Sequence, residues 1–161
     1  MTIRYAVPDD VPALSAVEAE CFPPAEAATA AEFAERVAHY GNHFWLMYDG
    51  NKLISFVDGF VTDDADLTVE MYENAAMHNE NGAWQMIFGV NTLPAYRQHG
   101  YAGELIWKAI TDAKEQGRKG LVLTCKNRLV HYYARFGFVD EGVTDKSTHG
   151  NVAWHQMRLT F

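Results

Sequence analysis

The chain has 161 residues, of which 48% are hydrophobic, and its formal net charge is −8 at pH 7. This size suits a single domain, residues 1–161, with a core of ordinary volume. The negative charge argues against nucleic acid as a partner, and no window is apolar enough to predict a membrane-spanning helix. We therefore expect a soluble globular protein that binds neither nucleic acid nor membrane.

The cysteines and the N-terminus indicate the compartment. Cys21 and Cys125 fit neither a disulfide framework nor a zinc-binding spacing, so both are expected to be free thiols. The N-terminus lacks the basic and apolar pattern of a signal peptide. These features predict a cytoplasmic protein without a bound metal.

Charge is distributed unevenly along the chain. Residues 1–96 hold three basic and fifteen acidic residues, whereas residues 97–161 hold ten basic and six acidic ones. An acidic first part would suit a cationic partner. The same acidity would also serve solubility alone, and both interpretations stay open.

The first half of the chain predicts a short strand, two helices and a hairpin. Pro12 follows an aspartate pair, which is typical of a helix start, and Gly41 follows an alanine-rich helical segment. Asp49-Gly50 separates two apolar runs, which predicts a β-hairpin. The expected strands are 3–7, 43–48 and 53–62, and the expected helices are 11–21, 29–40 and, within an acidic segment, 68–76.

The second half alternates strands with helices. The apolar positions of the segment 100–116 follow helical spacing, and Gly137 ends a short aromatic helix. The order predicts a mixed α+β fold, with early antiparallel strands and then a β-α-β unit whose two strands are parallel. The expected strands are 85–90, 121–125, 138–143 and 153–159, and the expected helices are 100–116 and 129–136.

The loop before the helix 100–116 is predicted to bind an anion. The first backbone N–H groups of a helix have no partner within the helix, and the helix dipole favours negative charge there. Gly100 permits a backbone geometry that a Cβ would hinder. The segment therefore predicts a phosphate-bearing cofactor. The loop residues are Arg97, Gln98, His99, Gly100, Tyr101, Ala102 and Gly103.

Two motifs resemble the GNAT superfamily of acetyl-CoA-dependent N-acetyltransferases. The family's pyrophosphate loop reads Arg/Gln-x-x-Gly-x-Gly/Ala, which Arg97, Gly100 and Ala102 match. Residues 131–138 are similar to the family's aromatic-Tyr-x-x-x-Gly-Phe signature. The resemblance covers nearly the whole chain and is closest to the arylalkylamine (serotonin) N-acetyltransferase branch.

The resemblance implies a GNAT fold, in which a central, mostly antiparallel sheet with one splayed parallel strand pair holds acetyl-CoA between flanking helices. It implies that the backbone amides of residues 98–103 bind the pyrophosphate of coenzyme A. The strand edge at Phe88, Gly89 and Val90 would pair with the pantetheine amides, and Asn127 would contact pantetheine. Gly89 suits a strand bulge, although it would also fit as a packing glycine.

The resemblance also implies catalytic roles. Tyr133 occupies the position of the family's general-acid tyrosine, and a phenol with a pKa of about 10 stays protonated at neutral pH. The same residue would also fit as a core aromatic. The arylalkylamine branch carries a His-x-His pair where this chain has Met86 and Phe88, neither of which accepts a proton. His78 is the candidate base, since its pKa suits the task. The alternatives are a plain surface role for this histidine, a water chain, and the carboxylates Glu70, Glu73 and Glu80.

These features predict direct transfer of an acetyl group from acetyl-CoA to the primary amine of a small cationic molecule, an aralkylamine or a polyamine. Phe22, Pro23 and Tyr72 are candidates for an apolar acceptor pocket, although such residues also fit a core. A lysine side chain or N-terminus of a protein is an alternative acceptor. A non-catalytic acyl-CoA-binding sensor is the alternative from another class, and a homodimer stays open.

Overall fold

The computed structural model describes residues 1–146 and 152–161. They form two compact units, of which the first is Met1–Gly59 with Gly89–Ala109 and the second is Phe60–Phe88 with Ile110–Phe161. The assignment of the whole chain to one domain stays a prediction. None of the helices in the described part of the chain has the length and apolar character needed to cross a bilayer.

Nine strands and five α-helices are described, joined by short 3₁₀ turns. The strands are β1 (Thr2–Tyr5), β2 (Phe44–Asp49), β3 (Lys52–Asp58), β4 (Val61–Thr62), β5 (Trp84–Ile87), β6 (Gly89–Thr92), β7 (Gly120–Lys126), β8 (Val139–Thr144) and β9 (Trp154–Thr160). The helices are α1 (Val11–Cys21), α2 (Ala30–Tyr40), α3 (Val69–Glu73), α4 (Tyr101–Glu115) and α5 (Val130–Ala134). Each helix lies within the segment that the sequence predicts.

The first unit contains a sheet in the order β1-β2-β3-β6, and every pairing in it is antiparallel. Helices α1 and α2 bury their apolar sides in this unit, and Leu14 and Phe33 are fully buried. The start of α2 is set by Thr29, whose hydroxyl accepts the N–H of Glu32 while the Glu32 carboxylate accepts the N–H of Thr29. This capping box satisfies amides that have no partner within the helix.

The second unit contains a sheet in the order β4-β5-β7-β9-β8. β5 and β7 are parallel over four residue pairs, from Trp84 opposite Gly120 to Ile87 opposite Leu123. The predicted β-α-β unit is therefore confirmed. The last two predicted strands correspond to β8 and β9, which pair antiparallel.

Two predicted strands were wrong in the same way, because each is divided between the two sheets. The predicted strand 53–62 ends at Asp58, and β4 starts in the other sheet at Val61. The predicted strand 85–90 ends at Ile87, and β6 starts after Phe88 alone. Apolar residues predominate on both sides of each break, so periodicity predicts one continuous strand despite Asp58-Gly59 and Gly89. Phe60 and Phe88 stand at the two breaks, and their rings pack edge to face with centroids 4.9 Å apart.

Candidate functional site

The predicted anion loop follows β6 in the first unit. A 3₁₀ turn over Pro94–Tyr96 ends at Arg97, whose Nε donates to the Thr92 carbonyl at 3.0 Å. Gln98 and Gly100 then adopt left-handed backbone conformations, with φ of 66° and 81°. Two such residues close together turn successive amides toward one side of the loop, the arrangement that forms an anion-binding nest.

The main-chain amides of this loop are available to a ligand. The Arg97 N–H donates to the Pro94 carbonyl at 3.3 Å, and the next amide with a carbonyl acceptor is that of Glu104, bonded to Gly100 at 3.1 Å. Within residues 1–146 and 152–161, no main-chain carbonyl accepts from the amides of residues 98–103. His99 and Tyr101 stack with ring centroids 5.6 Å apart. The start of α4 therefore carries six amides, those of residues 98–103, that have no main-chain acceptor among the described residues.

The strand β6 offers one edge for pairing. Its other edge pairs with β3, with Gly89 opposite Asp58 and Val90 opposite Val57. Because β6 is the last strand in the order of its sheet, an extended ligand could add to it as a further strand. Gly89 and Val90 are partly exposed.

Four buried polar side chains lie between the helices and sheet of the first unit, and sequence reasoning missed them. We call them the Glu18 cluster: Glu18 on α1, Arg36 on α2, Asp58 on β3 and Asn91 on β6. All are at most 6% exposed. Two of them carried a signal, because Glu18 falls four residues after the buried Leu14 and Arg36 falls three after the buried Phe33. A charge on the apolar side of an amphipathic helix is uncommon unless it is paired.

The electrostatics of the Glu18 cluster favour a neutral carboxyl. Arg36 Nη1 lies 3.3 Å from Asp58 Oδ2, and the Ala28 N–H donates to Glu18 Oε2 at 2.9 Å. Burial, together with the negative charge of Asp58, raises the pKa of Glu18 to about 7. Burial also raises the pKa of Asp58 to about 6, although Arg36 opposes this shift. Glu18 therefore changes its charge close to neutral pH.

The second unit carries the predicted acid, Tyr133, on α5. Its side chain is 7% exposed, and its ring packs edge to face against Tyr132 and Phe138, with centroids 5.1 and 6.3 Å away. Burial raises the pKa of Tyr133 well above its ordinary value, and nearby Cys125 adds to the shift. A phenol in this setting stays protonated and can act only as a proton donor at neutral pH.

An aromatic group forms around Tyr72 in the same unit. The Tyr72 hydroxyl lies 3.0 Å from Thr124 Oγ1, and its ring centroid is 4.9 Å from that of Phe88. Phe88 is thus held by aromatic neighbours, while the next residue, Gly89, starts a strand of the other sheet. Of the other predicted residues, Asn127 is exposed at the end of β7, Phe22 is half-buried and Pro23 is exposed after α1.

The predicted base, His78, has partners at both ring nitrogens. Nδ1 accepts the Val61 N–H at 3.0 Å, and Nε2 lies 3.1 Å from Glu80 Oε1. Because Nδ1 accepts a hydrogen bond, the ring proton lies on Nε2, which donates a hydrogen bond to Glu80 Oε1. Arg118 holds Glu80 from the other side at 3.1 Å. This geometry offers a substrate no free lone pair on His78. The alternatives Glu70 and Glu73 are exposed on α3.

Comparison with known proteins supports this interpretation of the fold. A family model described as the acetyltransferase (GNAT) family matches residues 11–138. A solved structure of the GNAT-like decarboxylase GphF in complex with isobutyryl-CoA is 21% identical, with a TM-score of 0.84 and 99% of each chain covered.

Two further solved structures show the same fold. A GNAT family acetyltransferase from Brucella melitensis in complex with acetyl-CoA is 19% identical, with a TM-score of 0.63 and coverage of 99% of this chain and 87% of that one. The ribosomal-protein-S18-alanine N-acetyltransferase from Escherichia coli is 16% identical, with a TM-score of 0.69 and coverage of 99% and 92%. The predicted fold is confirmed. Since the family model spans most of the chain, this protein belongs to the GNAT family of acetyltransferases.

Proposed function

We propose that this chain transfers the acetyl group of acetyl-CoA directly to the primary amine of a small cationic molecule, an aralkylamine or a polyamine. The observation that carries the proposal is the loop of residues 98–103, whose main-chain amides have no carbonyl acceptor in the described part of the chain. A helix start with free amides attracts phosphate. The loop of residues 98–103 therefore supports coenzyme A as the co-substrate. The CoA ligands of the similar structures support the same choice.

The remaining contacts to coenzyme A are proposed for residues 88–103 and for Asn127. The amides of residues 98–103 would bind the pyrophosphate, and Arg97, His99 and Tyr101 flank it. The pantetheine arm would pair with the edge of β6 at Gly89 and Val90, after Phe88, and Asn127 would contact it. Main-chain pairing of this kind provides affinity without depending on side-chain identity.

Tyr133 is proposed as the general acid of the transfer. The amine nitrogen attacks the thioester carbonyl, so a C–N bond forms and the C–S bond breaks. The phenolic proton of Tyr133 passes to the departing sulfur, and the phenolate regains a proton from the nitrogen of the intermediate. The buried phenol is compatible with this role because its raised pKa keeps it protonated at neutral pH, so that it can donate.

The acceptor class rests on charge and on the resemblance to the arylalkylamine branch. Residues 1–96 carry fifteen of the acidic residues and three basic ones, which favours a cationic acceptor. Phe22 and Pro23 in the first unit, and Tyr72 in the second, are proposed to contact its apolar part. A homodimer is compatible with this function and is not required by it.

Coenzyme A titration and an acceptor screen test the proposal. We expect CoA to release heat on binding and to raise the melting temperature, because a ligand that binds only the folded state stabilises it. Free thiol should then appear from acetyl-CoA with small amines. Thiol release only when a polypeptide is supplied would favour a protein acceptor. CoA binding without turnover on any acceptor would favour a sensor.

Replacement of Tyr133 tests the acid. Tyr133→Phe removes one oxygen from a packed ring, and we expect kcat to fall about 10²–10⁴-fold while the Kd for CoA stays within about twofold. Tyr132→Phe is the matched control, since it removes the same atom from the next residue of α5. Equal rates for wild type and Tyr133→Phe would exclude the phenol as the proton donor.

Decarboxylation of an acyl-CoA whose acyl group carries a free carboxylate β to the thioester is a candidate from another reaction class. It is favoured by Met86 and Phe88, because loss of CO₂ needs no base on this strand and Tyr133 could protonate the resulting enolate. Release of CO₂ from malonyl-CoA without release of thiol would support it. Release of thiol with amines would support acetyl transfer.

A further inference from the structure

The Glu18 cluster contains buried polar atoms that the described residues leave without hydrogen bonds. They are Glu18 Oε1, Asp58 Oδ1, Asn91 Oδ1 and Asn91 Nδ2. Buried polar groups are nearly always paired, with protein or with a bound ligand or water. Three side chains with such atoms in one place indicate that something polar binds there.

These atoms converge on the missing side chain of Gly89. A Cβ at this position would lie 2.9 Å from Asp58 Oδ1, 3.1 Å from Asn91 Nδ2 and 3.8 Å from Glu18 Oε1. Gly89 is itself partly exposed, whereas the three polar side chains are not. Any larger residue would cover or displace them. The absence of a side chain at Gly89 therefore means that no Cβ separates these atoms from the first residue of β6.

We propose that Glu18 is the base that accepts a proton from the ammonium group of the acceptor, which binds at Gly89 between the Glu18 and Asp58 carboxylates. This assignment rests on the proposed function. Arg36 is a positioning residue, because its ion pair holds the Asp58 carboxylate in place. A primary ammonium offers three donors, two of which match the carboxylate oxygens nearest to Gly89, Glu18 Oε1 and Asp58 Oδ1.

The charges around Glu18 suit a group that gains and loses a proton. Asp58 faces it from β3, Arg36 from α2, Asn91 from β6 and Cys21 from its own helix, and Tyr40 on α2 lies near Arg36 and Asp58. When Glu18 and Asp58 are both ionised, the guanidinium of Arg36 neutralises only one of the two negative charges. An arriving ammonium neutralises the other. A pKa near 7 matches the proton affinity that an efficient base needs at neutral pH.

The step balances without a further reactant. One N–H bond of the ammonium breaks, an O–H bond forms at Glu18 Oε1, and the freed lone pair attacks the thioester carbonyl. The second nitrogen proton leaves with the collapse of the intermediate and restores the phenol, whose own proton has gone to the thiolate. Glu18 then returns its proton to solvent after the acetylated amine departs.

A pH profile of Glu18→Gln tests the assignment. We expect wild-type kcat/KM to fall below about pH 7, as Glu18 becomes protonated. In Glu18→Gln, kcat/KM at pH 8 should be about 10²–10⁴-fold lower and the acid limb should be absent, with the Kd for CoA unchanged. Glu20→Gln is the matched control, because Glu20 lies exposed on the same helix. A wild-type rate and acid limb in Glu18→Gln would overturn the assignment.

Asp58→Asn provides a second test if Glu18→Gln folds poorly. The negative charge of Asp58 raises the pKa of Glu18, so its removal should move the acid limb to lower pH. An unmoved limb in a folded variant would count against Glu18. A ¹³C NMR titration of the Glu side-chain carboxyls reports the same shift without turnover. Failure of the proposed function looks different, because wild type itself would then not bind CoA or acetylate phenylethylamine and spermidine.

Discussion

Arg36 and Asp58 form an ion pair inside the first unit, with Nη1 3.3 Å from Oδ2 and both side chains at most 6% exposed. Removal of one partner leaves the other charge buried, which typically costs about 3–5 kcal/mol. We expect Arg36→Met to lower the free energy of unfolding by about this amount in urea denaturation. Lys146→Met is the control, since its pair with Asp66 is largely exposed and such pairs contribute about 0–1 kcal/mol. Similar losses for both variants would contradict the importance of the buried pair.

Glu18 and Asp58 should make the folded state less stable as pH rises, whereas most carboxyl groups in proteins make it more stable. The folded state raises the pKa of Glu18 from 4.5 to about 7 and that of Asp58 from 3.8 to about 6. It therefore binds more protons than the unfolded state, and this stabilisation is complete below about pH 4 and lost as pH rises to 7. Asp10 and Asp66 have pKa values lowered to about 2, so their contribution is lost instead as pH falls below 4.

The consequence is a maximum of stability on the acid side of neutrality, near pH 4–5. Glu18→Gln should flatten the decline between pH 5 and 7 and should be more stable than wild type at pH 8, because its side chain never becomes charged. Melting temperatures across this range measure both effects. A wild-type melting temperature that rises steadily from pH 5 to 8 would contradict the two raised pKa values.

Gly100 and Gly117 permit a matched comparison at the anion loop. Both adopt a left-handed backbone, with φ of 81° and 78°, and an added Cβ would meet nothing within 4 Å at either position. Alanine should therefore cost each variant about 1–2 kcal/mol of stability through backbone strain. Only Gly100→Ala should also weaken CoA binding, by about tenfold or more, because its φ directs the loop amides. Calorimetric titration of both variants checks this, and equal Kd values would argue against the loop as the pyrophosphate site.

We expect His78 to stabilise the fold and not to act as the base of the transfer. His78→Phe leaves the Val61 N–H without its acceptor and Glu80 without one of its partners. An unsatisfied buried donor costs about 1–3 kcal/mol, so the melting temperature should fall. The acid limb of the kcat/KM profile should persist in this variant. Its loss, with the fold intact, would make His78 the base in place of Glu18.

The sequence predicts the helices better than it predicts the sheets. Gly100, Ala102 and Gly137 are local signals whose meaning does not depend on distant contacts. The breaks after Asp58 and Ile87 have only weak local signals, Gly59 and Gly89, because the apolar runs resume beyond them and the change of pairing partner depends on distant strands. Asp58 shows why the rest was not predictable. In the sequence it is a single charge within an apolar run, and only the fold brings it close to Arg36 and Glu18.

Phe88 alone separates β5 from β6, and this short link has a consequence for hydrogen exchange. β7 continues to Lys126, three residues past its last pairing with β5 at Leu123, and in that stretch it keeps β9 as its partner. β6 likewise pairs with β3 along one side. The other edge of β6 has no partner strand in the described part of the chain, and under the proposed function pantetheine would pair with it. Backbone amides of β6 should then exchange with deuterium more slowly once coenzyme A is added.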